Sequence, residues 1–175
     1  MNRLTLALGL LMLLRGAFAA ENYSVFSEAM VTVAERTNYE RTSTLKDVVD
    51  VLDALDAQTE LMHRETLLLT EQGREVPLVV LADPPVTTPE QAFQSDSLVV
   101  YIQANIHGGE VEGKEASLIA MRDILFGDKQ HLLENQILIF VPVYNADGND
   151  TMDLNTRPNQ DLSPPVTGIR TANGY

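Results

Sequence analysis

Two apolar stretches, SLVVYIQANI at residues 97–106 and NQILIFVPVYN at 135–145, flank the segment GKEASLIAMRDILFG at 113–127. This feature limits the fold more than any other. A short run that is apolar on both faces needs cover above and below. A helix-length segment between two such runs is the crossover that lets them pair in parallel. The reading is an α/β chain with a central sheet and helices on both of its faces. Ala116, Ile119, Ala120 and Ile124 are the expected inner side of the crossover helix, which stops near Gly127.

Upstream, STLKDVVDVLDALDAQ at 43–58 places Leu45, Val48, Val49, Leu52 and Leu55 on one helical face, with Ser43 or Thr44 as its cap. LMHRETLLLT and EVPLVVLA read as two strands joined by the turn EQGR. The prolines and short polar residues of 83–96 predict a loop. Residues 20–42 are polar and weakly patterned and read as an N-terminal arm. Beyond Asn145 the chain is rich in turn residues. So few strands leave a long open edge. The expectation is therefore that residues 43–175 are part of a larger domain.

The first residues read as an export signal. Arg3 precedes an apolar run from Leu4 to Leu14, and Ala17 and Ala19 suit cleavage after Ala19. Arg15 makes the run too short to span a bilayer. The expected protein is secreted or periplasmic, with no stable membrane insertion after the signal at 1–19 is removed. That removal takes away two cations and moves the net charge from -13 to -15. A surface of that sign repels nucleic acid and anionic lipid. There is no cysteine, so disulfides and thiolate metal sites are excluded. Any metal site draws on carboxylates, carbonyls and the three histidines, His63, His107 and His131.

In open α/β sheets, sites form outside the carboxyl ends of the strands. His107 and Glu110 stand there, three residues apart across Gly108 and Gly109. Imidazole nitrogen and carboxylate are both zinc donors, and a glycine turn lets them converge. The same spacing also suits a capping turn whose acids, with Glu112 and Glu115, favour the helix N-terminus. Spacing alone leaves both readings open. A second His-x-x-Glu, His131 to Glu134, has leucines in place of the glycines and reads as a surface connection. His63, inside a strand, reads as structural.

The segment NIHGGEVEGKEA resembles the zinc-binding segment of the M14 zinc carboxypeptidases, and VPVYNADGND at 141–150 resembles that family's Asn-Pro-Asp-Gly segment, with Ala146 in place of proline. The resemblance covers roughly residues 40–175, with the elements in the family's order. It implies a zinc carboxypeptidase-like fold of which residues 43–175 are the amino-terminal half of the catalytic domain, a Zn2+ cofactor held by His107 and Glu110, and peptide or protein C-termini as substrate. It implies only a structural turn for Asn145, Asp147 and Gly148. The family's oxyanion arginine has Arg157 as its candidate, with Arg170 behind it. A third zinc ligand, a general base and a clamp for the substrate carboxylate are not found in the sequence. Two other functions remain: a zinc deacylase of related fold acting on small N-acyl amino acids, and a non-catalytic module that has lost the metal.

Overall fold

The computed structural model describes residues 26–151. The export segment, Arg157 and Arg170 lie outside the described residues. The structure is a mixed α/β fold. Helix α1 (Val33–Arg36) follows a short 3-10 turn at Glu28–Met30, and α2 spans Leu45–Asp56. Strands β1 (Met62–Leu69) and β2 (Glu75–Leu81) come next, then the six-residue α3 (Pro89–Gln94) and β3 (Leu98–Gln103). Helix α4 (Glu112–Phe126) and a 3-10 turn at Gln130–Leu133 lead to β4 (Gln136–Val141) and α5 (Ala146–Asp150).

The sheet order is β1-β2-β4-β3. The β1–β2 hairpin is antiparallel, β2 is antiparallel to β4, and β3 runs parallel to β4 with α4 between them. The hairpin turn uses Gly73 at φ 75°, a left-handed conformation that glycine adopts without cost.

Helix α2 begins where a reciprocal cap is encoded. The Thr44 hydroxyl accepts from the Asp47 N–H, and the Asp47 carboxylate accepts from the Thr44 N–H at 2.7 Å. Its buried face is Val48, Val51, Leu52 and Leu55. Val51 therefore takes the place that the sequence reading gave Val49, which keeps the strict helical stripe. Those side chains meet Leu118, Met121 and Ile124 of α4 and Val79, Leu81, Leu138 and Phe140 of the sheet in one core.

Helix α4 turns a different face inward from the one expected. Ala116 is exposed, and Lys114, Ser117, Leu118, Met121, Arg122 and Leu125 are buried alongside Ile124. The cause is polar. Lys114 and Arg122 lie inside because each has partners, so the apolar residues alone misplace the stripe.

Strand β3 differs from expectation as well. Its apolar residues predict cover on both faces, yet Leu98, Val99 and Tyr101 are exposed. It is the edge strand, and the two long helices α2 and α4 share a single core with the other face of the sheet. Among the described residues, only the short α3 lies against the second face, where Ala92 and Phe93 border the same groove as Val80, Ile137 and Ile139. Phe93 is 91 % exposed. No helix among the described residues is long and apolar enough to cross a membrane.

Residues 28–36, within the stretch read as a polar arm, are packed against α4. Thr32 and Glu35 form a reciprocal cap. The Glu35 carboxylate accepts two hydrogen bonds from the Arg122 guanidinium, each 2.8 Å, and Arg122 stacks 4.5 Å from the Phe26 ring centre.

Candidate functional site

The chain leaves β3 and β4 side by side, and the ladder between them continues past the strands. Ala104 N–H donates to Val141 C=O at 3.0 Å, Tyr144 N–H to Ala104 C=O at 3.1 Å, and Asn145 N–H to Asn105 C=O at 3.0 Å. The two loops that follow the parallel strands are thereby joined at their roots. One carries His107 and Glu110, and the other carries Asn145 and Asp147.

The first loop closes as a tight turn: Glu110 N–H donates to His107 C=O at 3.0 Å. Gly108 and Gly109 are buried within it. His107 and Glu110 stand outward, their side chains 34 % and 47 % exposed. Their polar ends converge, with His107 Nδ1 3.0 Å from Glu110 Oε2. A tetrahedral zinc ion with bonds of about 2.1 Å holds its nitrogen and oxygen donors about 3.4 Å apart. The pair therefore needs to open by only a few tenths of an ångström to grip one. Donor chemistry and separation both fit zinc. Among the described residues, no group of three or more histidine, aspartate or glutamate side chains surrounds a common point, so His107 and Glu110 are a pair of candidate donors.

The second loop is structural. The Asn145 side chain accepts from Gly148 N–H at 2.8 Å and starts α5. Asp147 turns away from the histidine. Its Oδ1 accepts from the Thr70 hydroxyl at 2.8 Å and from Arg74 at 2.7 Å, and its Oδ2 takes a long bond from the Gln72 N–H. This buried carboxylate fastens the β1–β2 hairpin turn to α5.

Behind the turn, α4 is fixed by a buried polar cluster. Lys114 is fully buried, and its ammonium donates to Ser43 C=O at 2.5 Å and to Asn149 Oδ1 at 2.7 Å. Glu115 accepts from the Thr42 hydroxyl, the Ser43 N–H and the Ser43 hydroxyl. Glu115 thus does more than favour the helix N-terminus, as the sequence reading had it: it ties the chain before α2 to the start of α4. A carboxylate with three donors is well compensated for burial.

The other two histidines are placed elsewhere. His63 lies on β1 with its Nε2 2.9 Å from Glu65. His131 lies in the 3-10 turn, with Nδ1 3.2 Å from the Asp128 carbonyl oxygen. The residue that sequence reasoning missed is Asn105. It has φ 54°, is 4 % exposed, and directs its amide into the His107–Glu110 turn. An asparagine at the mouth of a strand is the signal that could have found it, since asparagine tolerates left-handed φ better than other non-glycine residues.

Comparison with known proteins follows the same lines. The family model for zinc carboxypeptidases matches residues 48–166. The fold is similar to carboxypeptidase A from Helicoverpa armigera, at 20 % identity and a TM-score of 0.52, over 62 % of this chain and 26 % of that one. It is similar to a metallo-carboxypeptidase from Burkholderia cenocepacia, at 23 % identity and a TM-score of 0.50, over 61 % of this chain and 28 % of that one. A third likeness is to bovine thrombin-activatable fibrinolysis inhibitor, solved with a tick carboxypeptidase inhibitor. It has 13 % identity and a TM-score of 0.51, over 65 % of this chain and 34 % of that one. The chain thus spans about a quarter to a third of the length of these structures. No curated protein matches.

Proposed function

We propose a function from one premise: the chain belongs to the zinc carboxypeptidase family. The reading is that it carries the first two zinc donors of a metallocarboxypeptidase, which releases C-terminal amino acids from peptides. One observation supports it above the rest, the 3.0 Å convergence of His107 Nδ1 and Glu110 Oε2 at the end of a parallel strand.

His107 and Glu110 hold the metal in this reading. Zinc, when bound, supplies a Lewis acid for the scissile carbonyl and activates water for attack. The chain's own residues do the positioning. The buried turn sets the spacing of the two donors, and their partial exposure leaves the approach open to a peptide. The carboxylate of Glu110 offsets part of the charge that an ion brings. Arg157 is proposed as the cation that stabilises negative charge developing on the substrate carbonyl oxygen.

A catalytic zinc site takes three protein ligands. The third ligand and the general base are therefore proposed to come from a further part of the same domain, in keeping with the share of the solved structures that the chain spans. Export is proposed on the charged, apolar and small-residue order of positions 1–19.

The test is zinc titration of the full 175-residue chain against a chromophoric chelator. We expect weak binding by the wild type, and a fall of at least about tenfold, or 1.4 kcal/mol, in His107→Ala and Glu110→Gln. Unchanged zinc affinity in His107→Ala overturns the assignment. On a peptide with a free C-terminus the chain alone is expected to show no appreciable turnover. Efficient hydrolysis by these residues alone would overturn the proposal that the site is completed elsewhere.

A further inference from the structure

Asn105 is set apart by three observations. Its backbone is left-handed, with φ 54°. Its side-chain N–H group donates to the carbonyls of His107 at 2.9 Å and Glu110 at 3.1 Å, with a longer approach of 3.4 Å to Gly108. Its Oδ1 is buried without a hydrogen-bond partner. The amide can stand only this way round, because a flipped amide would point its oxygen at the same carbonyls. A buried acceptor left unpaired costs about 1–3 kcal/mol. Left-handed φ adds to that cost for a residue with a Cβ. Unfavourable local features that persist around one turn point to a role for that turn.

We propose that Asn105 is the positioning residue of the zinc-donor turn. It presets the convergence of His107 and Glu110 before any metal arrives. The proposal rests on the reading of those two side chains as donors. The main chain at Asn105 is latched to Asn145, so the amide is carried on the rigid end of the β3–β4 ladder. From that fixed base it bridges the first and last carbonyls of the turn. The Glu110 N–H to His107 C=O bond closes the same turn from the main chain, and the amide reinforces it from behind. A donor pair that must be ordered on binding gives up affinity to that ordering.

The full chain with Asn105→Gly keeps the backbone freedom and loses the amide. Asn105→Asp keeps the shape and loses both donors. Groups that orient metal ligands from behind typically contribute 10–100-fold in affinity, and a loss in that range is expected for zinc in the same chelator competition. In metal-free protein, the Glu110 amide is expected to exchange hydrogen faster by a similar factor, with β4 amides unchanged. Zinc affinity within twofold of the wild type in both variants overturns the proposal. So does a loss of affinity matched by lost protection throughout β4, which would make Asn105 a general stabiliser. His107→Ala separates the two ideas. If it leaves zinc binding intact, the donor assignment fails whatever the Asn105 variants do. If it abolishes binding and the Asn105 variants do not weaken it, only the positioning role falls.

Discussion

Glu35→Gln probes the buried ion pair that docks the N-terminal segment, and its amide oxygen can still accept from the Thr32 N–H that Glu35 caps. Glu35 and Arg122 have side chains 1 % and 3 % exposed, and two parallel bonds of 2.8 Å join them. The substitution keeps the volume, removes the negative charge and turns an amide N–H group towards a buried guanidinium. Breaking one side of a buried pair costs about 3–5 kcal/mol, mostly because the remaining charge stays uncompensated. Arg122 keeps the Asp123 carboxylate 3.5 Å from its Nε, a long bond to Met30 C=O and its contact with the Phe26 ring, which places the expected loss near the low end, about 3 kcal/mol. Domains of this kind are stable by about 5–15 kcal/mol, so urea denaturation resolves the change easily. The double variant Glu35→Met with Arg122→Met should fall within about 1–2 kcal/mol of the wild type, since it removes both charges together and loses only the cap on the Thr32 N–H. A loss below about 1 kcal/mol for Glu35→Gln alone would refute the reasoning, because it would mean that the pair is solvated and residues 28–36 are not docked on α4. Burial works against the charge of Arg122, but the hydrogen bond and charge of Glu35 outweigh it and hold the guanidinium above its ordinary pKa. A raised value keeps the pair's contribution intact below the usual arginine range and removes it only at more alkaline pH, so denaturation at pH 6 and pH 9 should report the same deficit for this variant.

Thr44→Ala removes the hydroxyl that caps α2 and should cost about 1 kcal/mol in the same urea assay; no change would mean that the reciprocal cap with Asp47 does not form. Asp147→Ala frees the hairpin turn from α5 and should cost about 2–3 kcal/mol, with faster hydrogen exchange at residues 70–74; unaltered exchange there would contradict the fastening role. The hydrogen bond and charge of Asp50 hold the Lys46 ammonium above the ordinary lysine range. That contribution is present at neutral pH and fades as pH rises through the raised value, so Asp50→Asn should move the Lys46 titration seen by NMR to lower pH, and an unmoved titration would count against the pair. His107→Ala should leave stability within about 0.5 kcal/mol, as expected for a partly exposed side chain; a larger loss would make His107 a structural residue.

The parallel β3–α4–β4 unit was legible because apolar runs and a helix-length spacer leave few alternatives. The hairpin was legible from Gly73 and its flanking strands. What escaped was polar. Lys114 and Arg122 sit on the inner side of α4, and a reading that follows hydrophobic residues rotates the helix away from them. Glu35 and Thr32 look like surface residues until Arg122, 87 positions later, is seen to pair with Glu35. The exposure of β3 was hidden because strand order is set by pairing between distant segments, which residue type alone does not fix. His107 and Glu110 were visible as a spaced pair. Asn105 was not, since its role depends on a backbone angle and on carbonyls that any sequence would present.

The Lys114 ammonium joins three stretches that are far apart along the chain, and this bears on inheritance and on transplantation. Lys114 and Asn149 meet side chain to side chain, and position 43 supplies its main-chain carbonyl to the same nitrogen, so Lys114 and Asn149 constrain each other's drift and relatives should exchange them as a pair. An engineer who moves the 105–110 loop into another scaffold would carry over its outline and lose its foundation unless Lys114, Asn149 and the backbone path through residue 43 travel with it.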